Sequence, residues 1–323
     1  MIVFGPIPSR RLGRSLGINN IPPKVCSYSC IYCQVGKTDS MSVRRDKFFT
    51  TEEIYDQVAE KLSHLKKTGE KVDYLTFVPD GEPTLDINLG NTIERLKKFG
   101  LKIAVITNSS LLCEGDVRND LLGADWVSVK IDSVYEDIWK KINRPHGTLI
   151  LKNILEGIRE FANVFKNELV TETMLVKGVN DFVESLYKTA QLISGIKPAK
   201  AFILTPTRPP AEKNVNPTSE EKLNDAFQIY SSMIPNVELI TYYEGINFSY
   251  ASNLSGELLS ILSVHPMRKD AVEEFLFKAK SDWELIDDLV EKRLLVEVKY
   301  SNSIYYLRNL KKINEEEEVQ NGN

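Results

Sequence analysis

Cys26-Ser27-Tyr28-Ser29-Cys30-Ile31-Tyr32-Cys33 places three cysteines within eight residues. The spacing is C-x3-C-x2-C, and an aromatic residue, Tyr32, comes directly before the last cysteine. Three thiolates on one short loop can bind three corners of a cubane iron–sulfur cluster and leave the fourth iron without a protein ligand. Because a small molecule can bind a metal position that the protein leaves open, the spacing predicts a reactive site.

Two other uses of the cysteines are open from the residues alone. A structural zinc site usually has four ligands, but the only other cysteine is Cys113, and His64, His146 and His265 all lie outside the loop. A disulfide with a spare thiol belongs to an oxidising compartment, and residues 1–11 lack the apolar core of a signal peptide. The local spacing therefore favours a cluster over zinc or inert thiols.

Composition limits the class of protein. The 323 residues are 42% hydrophobic and 27% charged, which is typical of a soluble globular protein with one large domain and room for a small one. A formal net charge of −4 gives no global field that would draw the chain to nucleic acid. No apolar run approaches a membrane span. We expect a cytoplasmic protein with no membrane partner, because the cytoplasm also keeps thiols reduced.

Residues 1–250 alternate short β-branched runs with amphipathic stretches, which predicts a parallel sheet with crossover helices. Ile54, Val58, Leu62 and Leu65 fall on one face of a helix for which Thr51 is the expected cap. Six strand–helix units predict an α/β fold, either a barrel or an open partial (β/α)6 barrel. The predicted strands are 15–19, 73–78, 102–107, 125–131, 168–175 and 200–204.

Distinctive polar segments follow the ends of these strands. In parallel sheets the chemistry lies beyond the carboxyl ends of the strands, which meet at one edge. We therefore expect six loops to converge on one rim. They are the cysteine loop and segments 80–84, 108–110, 130–133, 177–181 and 205–210.

From about residue 251 the pattern changes to helix, helix, helix and hairpin, which is the order of a winged-helix module (251–310). Ser281 is the expected cap of its third helix. Residues 257–308 hold eight Lys and Arg against ten Asp and Glu, so duplex DNA is the least favoured partner. A peptide or protein surface, or a lid packed on the barrel, fits better. The acidic segment 311–323 is expected to be disordered.

The cysteine loop, the Gly81-Glu82-Pro83 turn and the rim loops resemble the radical S-adenosylmethionine (SAM) enzymes across residues 1–250. The opening Gly5-Pro6-Ile7-Pro8-Ser9-Arg10-Arg11-Leu12-Gly13-Arg14-Ser15-Leu16-Gly17-Ile18-Asn19, with the loop through Gln34-Val35-Gly36, is similar to the subgroup related to the wyosine-base-forming tRNA enzymes. The resemblance implies a partial barrel of the radical SAM type. It also implies a [4Fe–4S] cluster on Cys26, Cys30 and Cys33, with SAM on the fourth iron. Reductive cleavage of SAM would give methionine and a 5′-deoxyadenosyl radical that abstracts a substrate hydrogen.

The resemblance further implies which residues bind SAM. The carbonyls of Gly81, Glu82 and Pro83 suit the ammonium group of methionine, since glycine permits close approach and proline removes a donor. The other candidates are polar or aromatic groups at strand ends: Asn108 and Ser109 for ribose hydroxyls or a carboxylate, Lys130 for the methionine carboxylate, Asp132 for ribose or for orienting Lys130, and Tyr32 and Asn180 for adenine. Ordinary turn chemistry is the alternative for the polar groups at strand ends.

Four arginines are weaker candidates for the substrate. Arg10, Arg11 and Arg14 cluster near the first strand, and Arg208 lies in a proline-rich rim loop. Together they could bind a phosphate or carboxylate. Pairing with surface acids is the alternative for each of them.

The sequence differs from the enzymes that it resembles in the number of its cysteines. The wyosine-forming enzymes have a second set of cysteines upstream of the radical loop, and SPASM-type enzymes have extra C-terminal ones, but this sequence has neither. We therefore expect one cluster and a reaction different from that of the wyosine-forming enzymes. By analogy with the family alone, we expect an electron donor such as flavodoxin or ferredoxin and a nucleotide or tRNA base as substrate. The alternatives are a radical enzyme that modifies a peptide or activates a protein, and a non-catalytic iron–sulfur or zinc sensor with a winged helix.

Overall fold

The structure is a computed structural model that describes residues 2–241, 248 and 254–309. The strands within these residues are β1 (Val3–Ser9), β2 (Gly13–Ile18), β3 (Val25–Cys26), β4 (Ser40–Met41), β5 (Tyr74–Phe77), β6 (Lys102–Thr107), β7 (Trp126–Lys130), β8 (Glu168–Met174), β9 (Lys200–Leu204), β10 (Val237–Ile240), β11 (Met267–Arg268), β12 (Leu295–Tyr300) and β13 (Ser303–Arg308).

Helices connect most of these strands. They are α1 (Thr51–Thr68), α2 (Leu89–Leu96), α3 (Gly115–Leu121), α4 (Glu136–Asn143), α5 (Leu151–Val164), α6 (Val183–Ile196), α7 (Glu220–Ser231), α8 (Leu254–Val264), α9 (Lys269–Ala279) and α10 (Glu284–Glu291), with short 3₁₀ turns at Pro83–Leu85 and Lys97–Phe99. None of the helices that the structure describes has both the length and the apolar content needed to span a membrane.

The central sheet has eight strands in the order β1-β2-β5-β6-β7-β8-β9-β10. All neighbours from β2 to β10 are parallel, and β1 pairs antiparallel with β2. The six predicted strands correspond to β2 and β5 to β9, and they are neighbours in the sheet in the order in which they follow one another along the chain. Because β1 and β10 are the two edges, the described part of the chain forms an open partial barrel.

The sequence analysis did not predict either edge strand. Gly5, Pro6 and Pro8 break the apolar run of β1, and its pairing with β2 is irregular between Phe4 and Ile7. Proline is tolerated at a sheet edge because one side of the strand needs no ladder hydrogen bonds. β10 has four residues, too few to show a clear alternation.

Two apolar layers hold the barrel together. Strand side chains alternate between the faces of the sheet. In β6, Ile103 and Val105 face the outer layer and pack with α1, α2, α5 and α6. Ala104 faces the concave side, where it packs with Trp126, Val170 and other residues of the barrel interior. The concave side thus closes below the carboxyl ends of the strands, and the space above them is left for the site.

The start of α1 corrects a detail of the sequence analysis. Thr50, and not Thr51, is the N-cap: its side chain accepts a hydrogen bond from Glu53 N, and the Glu53 side chain accepts one from Thr50 N. This is a capping box, which satisfies two amide groups at the start of the helix. The Thr51 hydroxyl instead contacts Thr92 at 3.1 Å.

The C-terminal unit consists of α8, α9, α10 and a three-stranded sheet in the order β11-β13-β12. Helix α10 starts at Glu284 after Trp283 as N-cap, so Ser281 is not its cap as predicted. The core of this unit is continuous with Phe4 and Ile7 of β1. The winged-helix assignment stays a prediction, and both the 250/251 domain boundary and the acidic segment 311–323 lie outside the described residues.

Candidate active site

A cavity of about 260 Å³ lies at the carboxyl ends of the strands. All three loop cysteines, Cys26, Cys30 and Cys33, line it. Four of the other expected rim segments contribute residues to its wall, but segment 177–181 does not; in its place Glu172 and Met174 of β8 face the cavity. The predicted convergence of loops on one rim is therefore largely what the structure shows.

The cysteine loop is fixed at both ends by backbone hydrogen bonds. At the first cysteine, β3 lies beside β4 and forms a bridge to Gly81. At the second, Ile31 N donates to Ile142 O at 2.9 Å, which ties the loop to the end of α4. Between Cys30 and Cys33 the chain makes a tight turn, with Cys33 N donating to Cys30 O at 3.1 Å. The three sulfurs are thus presented by a loop with little freedom.

The thiols lie in a buried environment with two amide donors. Asn108 Nδ2 lies 3.5 Å from Cys26 Sγ, and Asn143 Nδ2 lies 3.4 Å from Cys30 Sγ. Burial raises the pKa of all three thiols, and it raises that of Cys30 to about 12. A thiolate here needs a cation beside it, and iron would supply that charge.

The donor set fits a four-iron cluster better than a single metal ion. Among residues 2–241, 248 and 254–309, no group of three or more His, Cys, Asp or Glu side chains could hold one ion. A cubane binds each thiolate through a different iron, so its ligand sulfurs do not have to meet at one point. Three cysteines facing one cavity, with hydrogen-bond donors to two sulfurs, satisfy that requirement.

The Gly81-Glu82-Pro83 turn is packed directly against the cysteine loop. A Cβ added to Gly81 would lie 2.0 Å from Val25 O, so only glycine allows this approach. The Glu82 carboxylate is buried and accepts hydrogen bonds from Thr84, Thr107 and Asn108 N, while burial raises its pKa. This side chain therefore holds the turn in place.

Only part of the turn faces the cavity. Gly81 and Glu82 line it, but Pro83 does not. Pro83 starts a buried 3₁₀ turn, and its carbonyl accepts a hydrogen bond from Asn20 Nδ2 at 3.0 Å. The expectation that the Pro83 carbonyl reaches SAM therefore does not match this arrangement.

Asn108 and Ser109 have different positions. Asn108 lines the cavity and donates to Ser27 Oγ at 2.9 Å, so its amide is directed at the cysteine loop. Ser109 is fully buried outside the cavity, and its hydroxyl accepts from Lys130 N at 2.7 Å. Ser109 thus positions the end of β7 and does not reach the space where a ribose would lie.

Tyr32 and Asp132 form a buried pair. The Tyr32 hydroxyl donates to the Asp132 carboxylate, which also accepts from Asn143 Nδ2 at 2.7 Å and from Met174 N at 2.8 Å. Tyr32 lines the cavity, but Asp132 does not. Asp132 therefore orients Tyr32; the sequence analysis assigned it to Lys130 or to ribose.

Glu172 orients Lys130 instead. Lys130 Nζ lies 3.7 Å from Glu172 Oε2 and 5.3 Å from the centre of the Tyr32 ring. Glu172 also accepts hydrogen bonds from Ser128 Oγ, at 2.8 Å, and from the Arg11 guanidinium. Although burial opposes ionisation, the charges of Arg11 and Lys130 lower the pKa of Glu172. A carboxylate held between two cations is thus part of the cavity wall.

Asn180 is turned away from the cavity. Its Oδ1 accepts from Val176 N, and its Nδ2 donates to Asp132 O and Met174 O, all at 2.9 Å. With 1% of its surface exposed, it fixes the chain after β8. The Asn180 amide is therefore not exposed to the cavity, where the sequence analysis expected it to contact adenine.

Three of the four candidate arginines lie at the cavity. Arg10, Arg11 and Arg208 line it. Arg208 donates to Gln34, next to the last cysteine, and its Nη2 lies 2.6 Å from Nε2 of His265 in the C-terminal unit. Arg14 pairs with Glu70 away from the cavity.

Sequence reasoning missed Glu172 and Asn143 as parts of the site. A glutamate at the centre of a strand with buried neighbours could have drawn attention to Glu172, because buried carboxylates are almost always paired. Asn143 gave no such indication, since its contact with Cys30 spans 113 positions in the chain.

The comparisons with known proteins agree on one superfamily. The sequence pattern of the Radical SAM superfamily matches residues 20–193. The UPF0026 protein of Methanocaldococcus jannaschii is 45% identical over 312 residues, which cover 96% of this chain and 97% of that protein. The probable GTP 3′,8-cyclase of Pyrococcus horikoshii is 28% identical over 159 residues, or 49% of this chain and 46% of that protein.

Solved structures show the same fold. A radical SAM methyltransferase from Sphaerobacter thermophilus superposes with a TM-score of 0.57 at 15% identity, covering 72% of this chain and 67% of that one. An archaeal TYW1 is a more distant match, with a TM-score of 0.43 at 17% identity, covering 68% of this chain and 72% of that one.

Proposed function

The chain belongs to the radical SAM superfamily of enzymes, which use a [4Fe–4S] cluster and SAM, and we propose that it generates a 5′-deoxyadenosyl radical to act on a nucleotide or a tRNA base. The observation that carries the proposal is the position of Cys26, Cys30 and Cys33 around one cavity at the carboxyl ends of the strands. A cluster held there would keep one iron open to SAM.

When bound, the cluster and SAM supply the electron and the radical precursor. The chain's own residues do the rest. Asn108 and Asn143 donate hydrogen bonds to two cysteine sulfurs, which stabilises the thiolate charge. Gly81 allows its turn to lie against the cysteine loop, and its carbonyl is the proposed acceptor for the ammonium group of SAM, because the Glu82 carbonyl already accepts a hydrogen bond from Leu85 N. Lys130, held by Glu172 beside the Tyr32 ring, is the proposed partner of the methionine carboxylate.

Charge at the cavity supports an anionic substrate. Five basic residues line it, Arg10, Arg11, Arg208, Lys130 and Lys24, against three acidic ones, Asp80, Glu82 and Glu172. The excess of basic groups suits phosphate, which both nucleotides and RNA carry. The similar Pyrococcus horikoshii protein acts, by its name, on a nucleotide. No contact in the described residues favours a peptide in the same way, so that alternative becomes an outcome of the substrate test.

The proposed setting of the reaction follows from its chemistry. Reductive cleavage needs an electron donor, for which we propose a flavodoxin or a ferredoxin. Three reduced thiols and an oxygen-sensitive cluster are compatible with the cytoplasm, where glutathione and thioredoxin keep thiols reduced.

SAM cleavage tests the proposal with a matched pair of cysteine variants. Anaerobically reconstituted protein with dithionite should convert SAM to 5′-deoxyadenosine. Cys33→Ser should abolish the product, whereas Cys113→Ser should leave it unchanged, because Cys113 lies outside the cysteine cavity. An intact cluster without 5′-deoxyadenosine would overturn the proposal and favour a sensor.

The substrate class is tested by adding nucleotides, unmodified tRNA and peptides to the same reaction in deuterium-labelled form. A radical that abstracts hydrogen from its substrate transfers deuterium to 5′-deoxyadenosine. Transfer from a nucleotide or tRNA supports the proposal. Transfer from a peptide alone would replace it with the peptide-modifying alternative.

A further inference from the structure

Lys24 is a buried lysine at the cavity. Its side chain is 9% exposed and lies two positions before the first cysteine, among the residues that line the cavity. Its nearest carboxylate is Asp80, with Oδ1 3.6 Å from Nζ, beyond hydrogen-bond distance. Among the described residues, Lys24 Nζ has no hydrogen-bond partner, and neither has Asp80 Oδ2.

An ammonium group in this state is costly. It carries three N–H donors, and burying a charge that makes no hydrogen bonds is unfavourable because the charge loses its hydration. The pair with Asp80 offsets part of that cost through charge alone. The Asp80 carboxylate attracts the ammonium group without forming a hydrogen bond to it, so the Lys24 donors can also bind a ligand that enters the cavity.

The backbone of Lys24 has an unfavourable conformation that hydrogen bonds hold in place. Lys24 has a φ of 63°, in the left-handed region that a lysine rarely adopts. Three backbone hydrogen bonds fix it there: Lys24 N donates to Asp80 O at 2.7 Å, and Lys24 O accepts from Asp39 N and Ser40 N at 3.2 and 3.1 Å. Nζ reaches Gly36 after the cysteine loop, where an added Cβ would lie 3.3 Å away.

We infer that Lys24 is the centre of an anion subsite that binds a phosphate or carboxylate group of the second substrate. This deepens the proposed function and rests on it. Lys24 and Lys130 lie on different walls of one cavity, Lys24 next to β3 and Lys130 at the end of β7. Since Lys130 is the proposed partner of the SAM carboxylate, Lys24 is left for a different anion. Arg208 lines the same cavity and adds a second positive charge.

A pair of probes that differ by one phosphate tests the inference. Binding of guanosine 5′-monophosphate and of guanosine is measured by calorimetry on the cluster-loaded protein, with SAM measured separately. Wild type should bind the nucleotide at least about tenfold more tightly than the nucleoside. Lys24→Met should weaken nucleotide binding by roughly tenfold to a hundredfold, the usual effect of losing a hydrogen bond to a charged group. Guanosine and SAM should bind as before.

Two further variants make the result specific. Lys222→Met removes the same charge from the exposed surface of α7 and should change nothing. Lys24→Arg keeps the charge and should retain most of the nucleotide affinity, while Lys24→Gln should behave like Lys24→Met and replaces it if the methionine variant does not fold. None of these substitutions changes the backbone strain, because each residue has a Cβ.

Three results would overturn the inference. Equal affinity of wild type for nucleotide and nucleoside would show that no anion subsite exists. Weaker SAM binding with unchanged nucleotide binding would assign Lys24 to the SAM carboxylate. A change in the cluster's spectrum alone would make Lys24 a counter-charge for the cluster. These binding measurements need no reductant and are independent of SAM cleavage. Lys24 can therefore prove unimportant for nucleotide binding although 5′-deoxyadenosine forms, and nucleotide binding can depend on Lys24 although no 5′-deoxyadenosine forms.

Discussion

Asn143 connects the cluster site to the buried polar groups behind it. One amide group donates toward Cys30 Sγ, Asp132 Oδ2 and the Tyr32 hydroxyl. Hydrogen bonds to cluster sulfurs stabilise the reduced, more negative state and so raise the reduction potential. Asn108 does the same at Cys26. At the scale of single residues, the site is therefore set by amides as well as by thiols.

We predict that Asn143→Leu lowers the reduction potential of the cluster. A hydrogen bond worth about 1 kcal/mol corresponds to about 40 mV for one electron. The measurement is a redox titration followed by electron paramagnetic resonance, on samples matched for iron content. An unchanged or higher potential in Asn143→Leu would show that this amide does not act on the sulfur.

Asp86 gives a pH dependence that can be measured away from the cysteines. Burial raises its pKa from 3.8 to about 6, although Asn88 N and Asn20 Nδ2 donate to its carboxylate. Between these values the unfolded chain loses the proton while the folded chain keeps it. Below about pH 4, Asp86 is protonated in both states and does not lower the free energy of unfolding. As the pH rises to about 6 the free energy of unfolding falls, and above that pH the loss stays constant at about 3 kcal/mol.

Asp86→Asn should remove this dependence. We expect the free energy of unfolding of the variant to improve relative to wild type as the pH rises from 4 to 6, and the difference to stay constant above that. Chemical denaturation at several pH values measures it. Parallel curves for the two proteins across this range would contradict the assignment.

The contact between the Gly81 turn and β3 belongs to the scale of elements. The atom nearest to an added Cβ is a backbone oxygen, Val25 O, so the movement of a side chain cannot relieve that clash. The turn after β5 and the strand that leads to Cys26 are in direct contact and are joined by backbone hydrogen bonds, so the position of Cys26 depends on a residue 55 positions further along the chain.

Gly81→Ala should therefore prevent most of the cluster from assembling. The new methyl group would lie 2.0 Å from Val25 O and would displace the strand that carries Cys26. Iron and sulfide per chain after anaerobic reconstitution measure the effect. The control is Gly195→Ala in α6, where nothing lies within 4 Å of the added Cβ; it should keep its full iron content and gain up to about 1 kcal/mol of stability. Equal iron in the two variants would count against the close contact.

The elements differ in how far the sequence predicts them. Strands β5 to β9 are buried on both sides and rich in apolar, aromatic and β-branched residues, so they were predicted within about one residue. β1 was missed because its prolines break the run, and two adjacent threonines at α1 allowed the cap to be placed one position late. The polar contacts of Ser109, Asn180 and Pro83 could not be predicted. Each faces a buried partner, and the side to which a strand-end residue turns depends on tertiary packing.

At the scale of the whole molecule, the barrel and the C-terminal unit are joined by polar and apolar contacts. The hydroxyls of Tyr300 and Tyr305 donate to the carbonyls of Pro206 and Thr207 in the rim loop, at 3.0 and 2.9 Å. Gln34, next to the last cysteine, donates to Val264 O at 3.1 Å. The C-terminal unit thus forms part of the wall beside the cysteine loop.

Lys61 of α1 and Glu257 of α8 form an ion pair buried between these two parts. Burial lowers the pKa of Lys61, whereas its partner's charge opposes that shift. Lys61→Met should destabilise the protein by about 3 to 5 kcal/mol, because it leaves a buried carboxylate without its cation. The double variant Lys61→Met/Glu257→Leu should recover most of the loss. Chemical denaturation of the four proteins measures the coupling, and additive losses would argue against a shared buried pair.

Electron paramagnetic resonance of the reduced, anaerobically reconstituted protein, recorded with and without SAM, tests the central claim most directly. The claim is that Cys26, Cys30 and Cys33 are the protein's ligands to a four-iron cluster and that the remaining iron is open to SAM. We expect a [4Fe–4S]⁺ spectrum that changes when SAM is added and that is lost in Cys33→Ser. Zinc in place of iron, or a cluster spectrum that SAM leaves unaltered, would contradict the account.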